Sequence, residues 1–107
     1  MTAPAAPRAV RRLIINADDF AFTPAVTDGI LEAHAAGTVT ATSMLVRCAG
    51  WEDGVRRAKA TPGLEVGLHF NLLVGAPLAA VPSLTDRRSG KFLSLPALVA
   101  RALTRRL

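Results

Sequence analysis

Residues 13–26 read LIINADDFAFTPAV, and the reading of the whole chain starts from this stretch. The apolar run Leu13–Ala17, with Ile14-Ile15 at its centre, predicts a short buried strand. Asp18-Asp19 ends it. Thr23 then offers an N-cap, and Pro24 takes the first helical position, where its missing N–H costs nothing. Val26, Ile30, Leu31 and Ala33 supply the apolar stripe of the helix, and Gly37 is placed to stop it. The stretch is a strand that delivers two carboxylates to the start of a helix.

The same unit recurs along the chain. Thr38–Val46 is rich in β-branched residues and predicts a second strand, broken by Gly50. Trp51–Ala60 carries acids first (Glu52, Asp53) and bases last (Arg56, Arg57, Lys59), a helix matched to its own dipole. Leu64–Leu72 alternates: Val66, Leu68, Phe70 and Leu72 fall on one face, and Glu65, Gly67, His69 and Asn71 on the other. About twenty residues punctuated by Pro and Gly follow, a loop length often tied to function. Ser94 caps a final helix carrying Leu95, Leu98, Val99, Ala102 and Leu103, with Arg105 and Arg106 at its end. The order βαβαβ, loop, α predicts an α/β fold of parallel βα units. Three strands leave such a sheet unfinished, since a parallel sheet needs both faces covered. Self-association through the open edge, as a possible homo-oligomer, or partial disorder is therefore expected. The polar face of the third strand suits the inside of a barrel beside an active site.

Composition narrows the function classes. The 107 residues suffice for one small domain, with residues 1–10 read as a loose arm and 11–107 as the domain portion. The formal charge of +5 invites a nucleic-acid partner. The basic residues are dispersed, however, and several sit at helix C-termini where the macrodipole favours them. With no Tyr and one Trp, base-stacking surfaces are not expected either. Cys48 is the only cysteine, so it reads as a buried structural thiol rather than part of a disulfide or a nucleophile. No apolar stretch approaches the ~20 residues of a membrane span. Arg11-Arg12 is followed by carboxylates instead of a secretory apolar run, so a cytoplasmic protein is expected.

The candidate chemistry lies at the C-terminal ends of the predicted strands, where α/β folds build their sites. Asp18 and Asp19 close the first strand, and His69, followed by Asn71, lies near the end of the third. Adjacent carboxylates at a strand end point in different directions, so one can bind a metal while the other stays free as a base. A His on a neighbouring strand end then makes a second donor of a mixed nitrogen–oxygen site. Each residue also has a plain structural role available: Asp-Asp as a helix-capping turn, His69 as a packed strand residue. Spacing alone does not choose between them. His34, near the end of its helix, reads as a surface histidine facing the dipole.

Four motifs in order resemble a known family. Leu13–Phe20 with Thr23-Pro24-Ala25-Val26 is similar to the opening of the YdjC-like carbohydrate deacetylases, which include chitooligosaccharide deacetylases and a hopanoid-associated branch. Ala41–Val46 resembles their second strand and Gly67-Leu68-His69-Phe70-Asn71-Leu72 their third. Val81-Pro82-Ser83-Leu84 with Gly90-Lys91-Phe92-Leu93 resembles the loop that follows. The resemblance implies the N-terminal part of a (β/α)-barrel-like fold and a hydrolase that removes the acetyl group from an N-acetylated amino sugar or chitooligosaccharide. It implies Asp18 as catalytic base, and Asp19 and His69 as ligands of a divalent metal ion. The family's third ligand is a later histidine that has no match in this chain. One carboxylate and two imidazoles suit zinc, while the family is associated with magnesium, so either ion (Mg or Zn) is expected. A whole barrel takes about 250 residues, so this portion is expected to be incomplete and inactive alone. The other expectation is a truncated, non-catalytic relative that binds sugar weakly. Ala21 stands where the family usually has Gly, and Arg47 where relatives often carry a small polar residue.

Overall fold

A computed structural model describes residues 11–104. The expected arm over 1–10 and the Arg105-Arg106 pair lie outside the described residues. The elements run β1 (Asn16–Phe20), α1 (Pro24–Ala35), β2 (Ala41–Met44), α2 (Trp51–Lys59), β3 (Glu65–Leu68) and α3 (Leu95–Leu103). The strands form one sheet in the order β1-β2-β3, and both pairings are parallel. The α/β reading with parallel βα units therefore holds. Among the described residues no helix is long and apolar enough to cross a membrane.

Local chemistry explains most boundaries. The Val26 amide donates to Thr23 Oγ1 at 3.2 Å, and Pro24 opens α1. Gly37 closes it at φ 79°, a conformation that a side chain would resist. α2 has no side-chain cap; its acidic first turn and basic last turn match the dipole. Arg57 reaches from α2 to Asp28 of α1 at 2.6 Å and to Asp53 at 3.4 Å, and these bonds, Asp28 first, raise its pKa further. His34 is more than a surface residue: its Nδ1–H donates to the Val39 carbonyl at 2.8 Å, tying the end of α1 to the approach to β2.

The core lies between the sheet and the α1–α2 layer, built from Phe20, Ala21, Ile30, Val39, Met44 and Leu64. Ala21 is wholly buried and sits in the left-handed region at φ 67°, as does Asp19 at φ 68°. The space over Ala21 is taken by glycines. A Cβ on Gly54 would stand 2.5 Å from Ala21 Cβ, and one on Gly50 would stand 2.9 Å from the Thr23 carbonyl carbon. Gly50, read from sequence as a strand breaker, is thus also a seat for close backbone approach. Beneath the turn, buried Thr27 accepts the Ala21 amide at 3.2 Å and donates to the Thr23 carbonyl at 3.1 Å.

Several expectations change. Leu13 and Ile14, expected in a buried strand, are each 77% exposed, because the ladder with β2 begins at Asn16 and they precede it. β2 is shorter than the β-branched run, and Asp18-Asp19 lie within β1 instead of after it. β3 stops at Leu68, and its apolar face stays open, with Leu68 68% and Phe70 75% exposed. α3 buries none of its residues; its Arg101 Nη1 donates to the carbonyls of Pro82 and Ser83, joining the helix to the long loop.

That loop is organised by its own turns. Thr85 bridges Phe92, and Asp86 Oδ1 accepts from the Ser89 amide at 2.8 Å, the Ser89 hydroxyl at 2.9 Å and the Arg88 amide at 3.1 Å. These Ser89 bonds, with the Arg88 amide and the Arg101 charge, hold the Asp86 carboxyl below its ordinary value.

Two outcomes follow from these contacts. Gly54→Ala should destabilise the protein by about 1–3 kcal/mol in denaturant melts, because the new methyl meets Ala21 Cβ. Ala21→Gly in the same chain should recover most of that loss, since it removes both the clash and the positive-φ strain; simple additivity would reject the contact. Separately, a depressed folded pKa means that the Asp86 contribution is complete above the ordinary carboxyl value of ~3.9 and is lost as pH falls through the lower folded value. The Ser89 amide resonance should titrate below that ordinary value, and Asp86→Asn should abolish the transition.

Candidate functional site

The site begins with a mismatch in register. Ala17 pairs with Thr42 and Phe20 with Met44, so two residues of β1, Asp18 and Asp19, stand opposite the single residue Ser43 of β2. This is a β-bulge, and Asp19 takes up the extra length in the left-handed conformation that Asp tolerates better than most residues. The Thr42 hydroxyl donates to the Ala17 carbonyl at 2.6 Å and the Leu45 amide to the Phe20 carbonyl at 2.8 Å, which pins both flanks of the bulge.

The bulge sends the adjacent carboxylates to different partners. Asp18 Oδ1 accepts from Ser43 Oγ at 2.6 Å and from Asn16 Nδ2 at 2.8 Å. Asp19 Oδ1 lies 3.2 Å from His69 Nδ1, and the Asp19 amide donates to that same nitrogen at 3.3 Å. His69 is the first residue past β3, held in line by its own amide bond to the Met44 carbonyl at 2.9 Å. Residues fifty positions apart are thereby joined across the sheet.

This geometry can do two things. A protonated His69 ring forms an ion pair with Asp19. In the neutral ring, with Nδ1 accepting the Asp19 amide, the proton sits on Nε2. The amide then occupies the one Nδ1 lone pair; once that contact gives way, Nδ1 and Oδ1 stand 3.2 Å apart, a span that suits neighbouring ligands of one cation at ~2.0–2.2 Å from each. The donor chemistry, one carboxylate and one imidazole, fits zinc, and magnesium would draw more on the oxygen. Among the described residues no third His, Cys, Asp or Glu joins them.

Asp19 and His69 are open to solution, with side chains 52% and 31% exposed. They line an open pocket of about 280 Å³ with Phe22, Leu45 and residues 70–74. Asn71, the polar residue that follows His69 on the strand pattern, does not face the pair as a third donor. Its Oδ1 accepts the Leu73 and Val74 amides and its Nδ2 donates to the Val74 carbonyl, which shapes the pocket wall. Cys48 is partly rather than fully buried, and its thiol pKa is raised by burial and then by the Asp19 charge. A raised pKa keeps it a thiol, which weakens it as nucleophile or ligand. Arg47, also at positive φ (58°), borders a larger neighbouring groove of about 580 Å³.

The structure therefore brings together Asp19 and His69 as read from sequence, and sets Asp18 beside them on separate partners. Sequence reading missed Ser43 and Asn16. Period-two alternation already places Asn16 and Asp18 on one face of a strand, but the diagonal contact to Ser43 depends on the bulge.

The family described as "YdjC-like protein" matches residues 12–106. A carbohydrate deacetylase of Listeria innocua is 49% identical over 67 residues, covering 63% of this chain and 27% of the relative. A carbohydrate deacetylase of Brevibacillus brevis is 47% identical over 76 residues, 70% of this chain and 31% of the relative. A chitooligosaccharide deacetylase of Klebsiella pneumoniae is 45% identical over 84 residues, 78% of this chain and 33% of the relative. The chain spans about a third of the length of these relatives.

Proposed function

The chain belongs to the YdjC-like family, and from that membership and the site geometry we propose that it contributes to a metal-dependent hydrolase removing the acetyl group from N-acetylated amino sugars, chitooligosaccharides among them. One observation carries the reading: Asp19 and His69 meet at 3.2 Å across the sheet, while Asp18 turns to other partners. The names of the relatives, carbohydrate deacetylase and chitooligosaccharide deacetylase, support the substrate class. On this reading the three βα units open a (β/α)-barrel, whose site gathers at the C-terminal strand ends.

When bound at Asp19 and His69, a divalent ion, Mg or Zn, supplies Lewis acidity to the acetamide carbonyl and acidifies a water. The chain's own residues supply the rest. Asp19 contributes the anionic ligand. His69 contributes a neutral nitrogen, Nδ1, which exchanges its contact with the Asp19 amide for the ion, while the His69 backbone is held in line by its own amide bond to the Met44 carbonyl. Asp18 takes the proton from the attacking water through a carboxylate oxygen. The open pocket against Phe22 and Leu45 receives the acetamide group.

Two measurements test this on the natural gene product that carries the chain. Asp18→Asn should leave the fold and metal content intact and lower turnover on N-acetylated chitooligosaccharides by ~10² or more; near-normal turnover removes Asp18 from the mechanism. Asp19→Ala and His69→Ala should each weaken Zn²⁺ binding in calorimetry by at least about tenfold, independently of activity. Unchanged affinity in both variants refutes the ligand assignment. Intact metal binding without acetate release points instead to a non-catalytic, sugar-binding relative.

A further inference from the structure

We infer that Ser43 and Asn16 are positioning residues for Asp18, fixing which of its oxygens acts as base and keeping it apart from the ion held by Asp19 and His69. The inference rests on the functional reading above, in which Asp18 is the base.

Both donors land on one atom. Ser43 Oγ at 2.6 Å and Asn16 Nδ2 at 2.8 Å bond Asp18 Oδ1, and Oδ2 accepts no hydrogen bond among the described residues. A carboxylate free to rotate presents either oxygen in many directions. Two donors on Oδ1 leave Oδ2 as the proton acceptor with a fixed aim, and orientation of this kind governs proton-transfer efficiency. Hydrogen bonds to a charged acceptor are also the stronger kind, so both donors hold well.

The backbone makes the arrangement rigid. Asn16 lies two residues before Asp18 on the same strand face. Ser43 is the one β2 residue opposite the bulge, and its neighbours Thr42 and Leu45 are bonded to Ala17 and Phe20 on either side. Across β3, Ser43 pairs with Gly67, where an added Cβ would touch only the Thr42 carbonyl, at 3.8 Å. The β3 residue paired with Ser43 therefore brings no side chain of its own beside it.

Consecutive carboxylates have a further problem, because both are attracted to one cation. If Asp18 turned toward the ion it would become a ligand and cease to be a base. Ser43 and Asn16 hold it through Oδ1, and neither of them takes part in the Asp19–His69 contact. The division of roles between neighbouring acids is held by these two hydrogen bonds.

The test is a double-mutant cycle on the natural gene product, with N-acetylated chitooligosaccharide as substrate. Ser43→Ala should lower kcat about tenfold with KM and melting temperature unchanged and Zn²⁺ affinity undiminished or raised, and Asn16→Ala should give a loss of the same kind. Ser43→Thr, which keeps the hydroxyl, should restore kcat. In the Asp18→Asn background Ser43→Ala should have no further effect, because it acts only through Asp18. Wild-type kcat in Ser43→Ala, or a loss that simply multiplies that of Asp18→Asn, overturns the positioning role while leaving Asp18 as base. A fall in melting temperature that accompanies the kcat loss and persists in Ser43→Thr assigns Ser43 to structure alone. No acetate release by the unsubstituted protein overturns the functional reading and this inference with it.

Discussion

The close approach of α2 to the turn between β1 and α1 is the constraint from which the rest of the structure follows. Ala21 is wholly buried there at positive φ, under Gly50 and Gly54, with its amide bonded to Thr27. A left-handed L-residue costs roughly 1–2 kcal/mol and persists only where surrounding contacts over-determine it. Those contacts are present: two glycines admit the helix, and a buried threonine supplies the hydrogen bonds. With the turn fixed, the Leu45–Phe20 bond sets the register of β2, and the two-against-one mismatch must fall on Asp18 and Asp19. A core-packing requirement thus dictates where the carboxylates point.

The result is an economical separation of like charges. On a regular strand, residues 18 and 19 would face opposite sides of the sheet, and only one could address the end of β3. The bulge keeps both at the same strand end but gives each its own donors: hydroxyl and amide for Asp18, imidazole for Asp19. In the β2–α2 connection, burial and then the Asp19 charge raise the Cys48 thiol pKa. The chemistry proposed for the site uses this separation directly, since a base and a metal ligand must not exchange roles.

Away from the site the forces are weaker and more local. The Arg57 bridge between α1 and α2 is partly exposed, and such pairs contribute at most about 1 kcal/mol, so the helix layer is held by Ile30, Trp51 and Val55 packing. The long loop is held by Asx-type turns at Asn71 and Asp86, whose side chains stand in for missing backbone partners. Its length therefore does not mean lack of order. The open face of β3, with Leu68 and Phe70 exposed, carries the apolar half of a strand pattern that α1 and α2 do not cover.

Sequence alone determined the element order, the Thr23–Pro24 start of α1, the dipole-matched charges of α2 and the parallel βα architecture. Each of these depends on interactions within a few residues or on a short hydrophobic period, and such signals are written locally. It also singled out Asp18, Asp19 and His69, because their types and strand-end positions are visible without a fold. The tertiary structure decided the rest. The burial of Ala21 and the glycine seat depend on contacts about thirty residues apart, and the place of Ser43 beside Asp18 on one spanning 25 residues. The exposure of Leu13 and Ile14 was illegible for the same reason: hydrophobicity predicts what a residue favours, and only the packed sheet determines whether a neighbour is there to cover it. The bulge is the clearest case. No local pattern distinguishes it from a regular strand end, because it arises from two anchored flanks that differ in length by one residue.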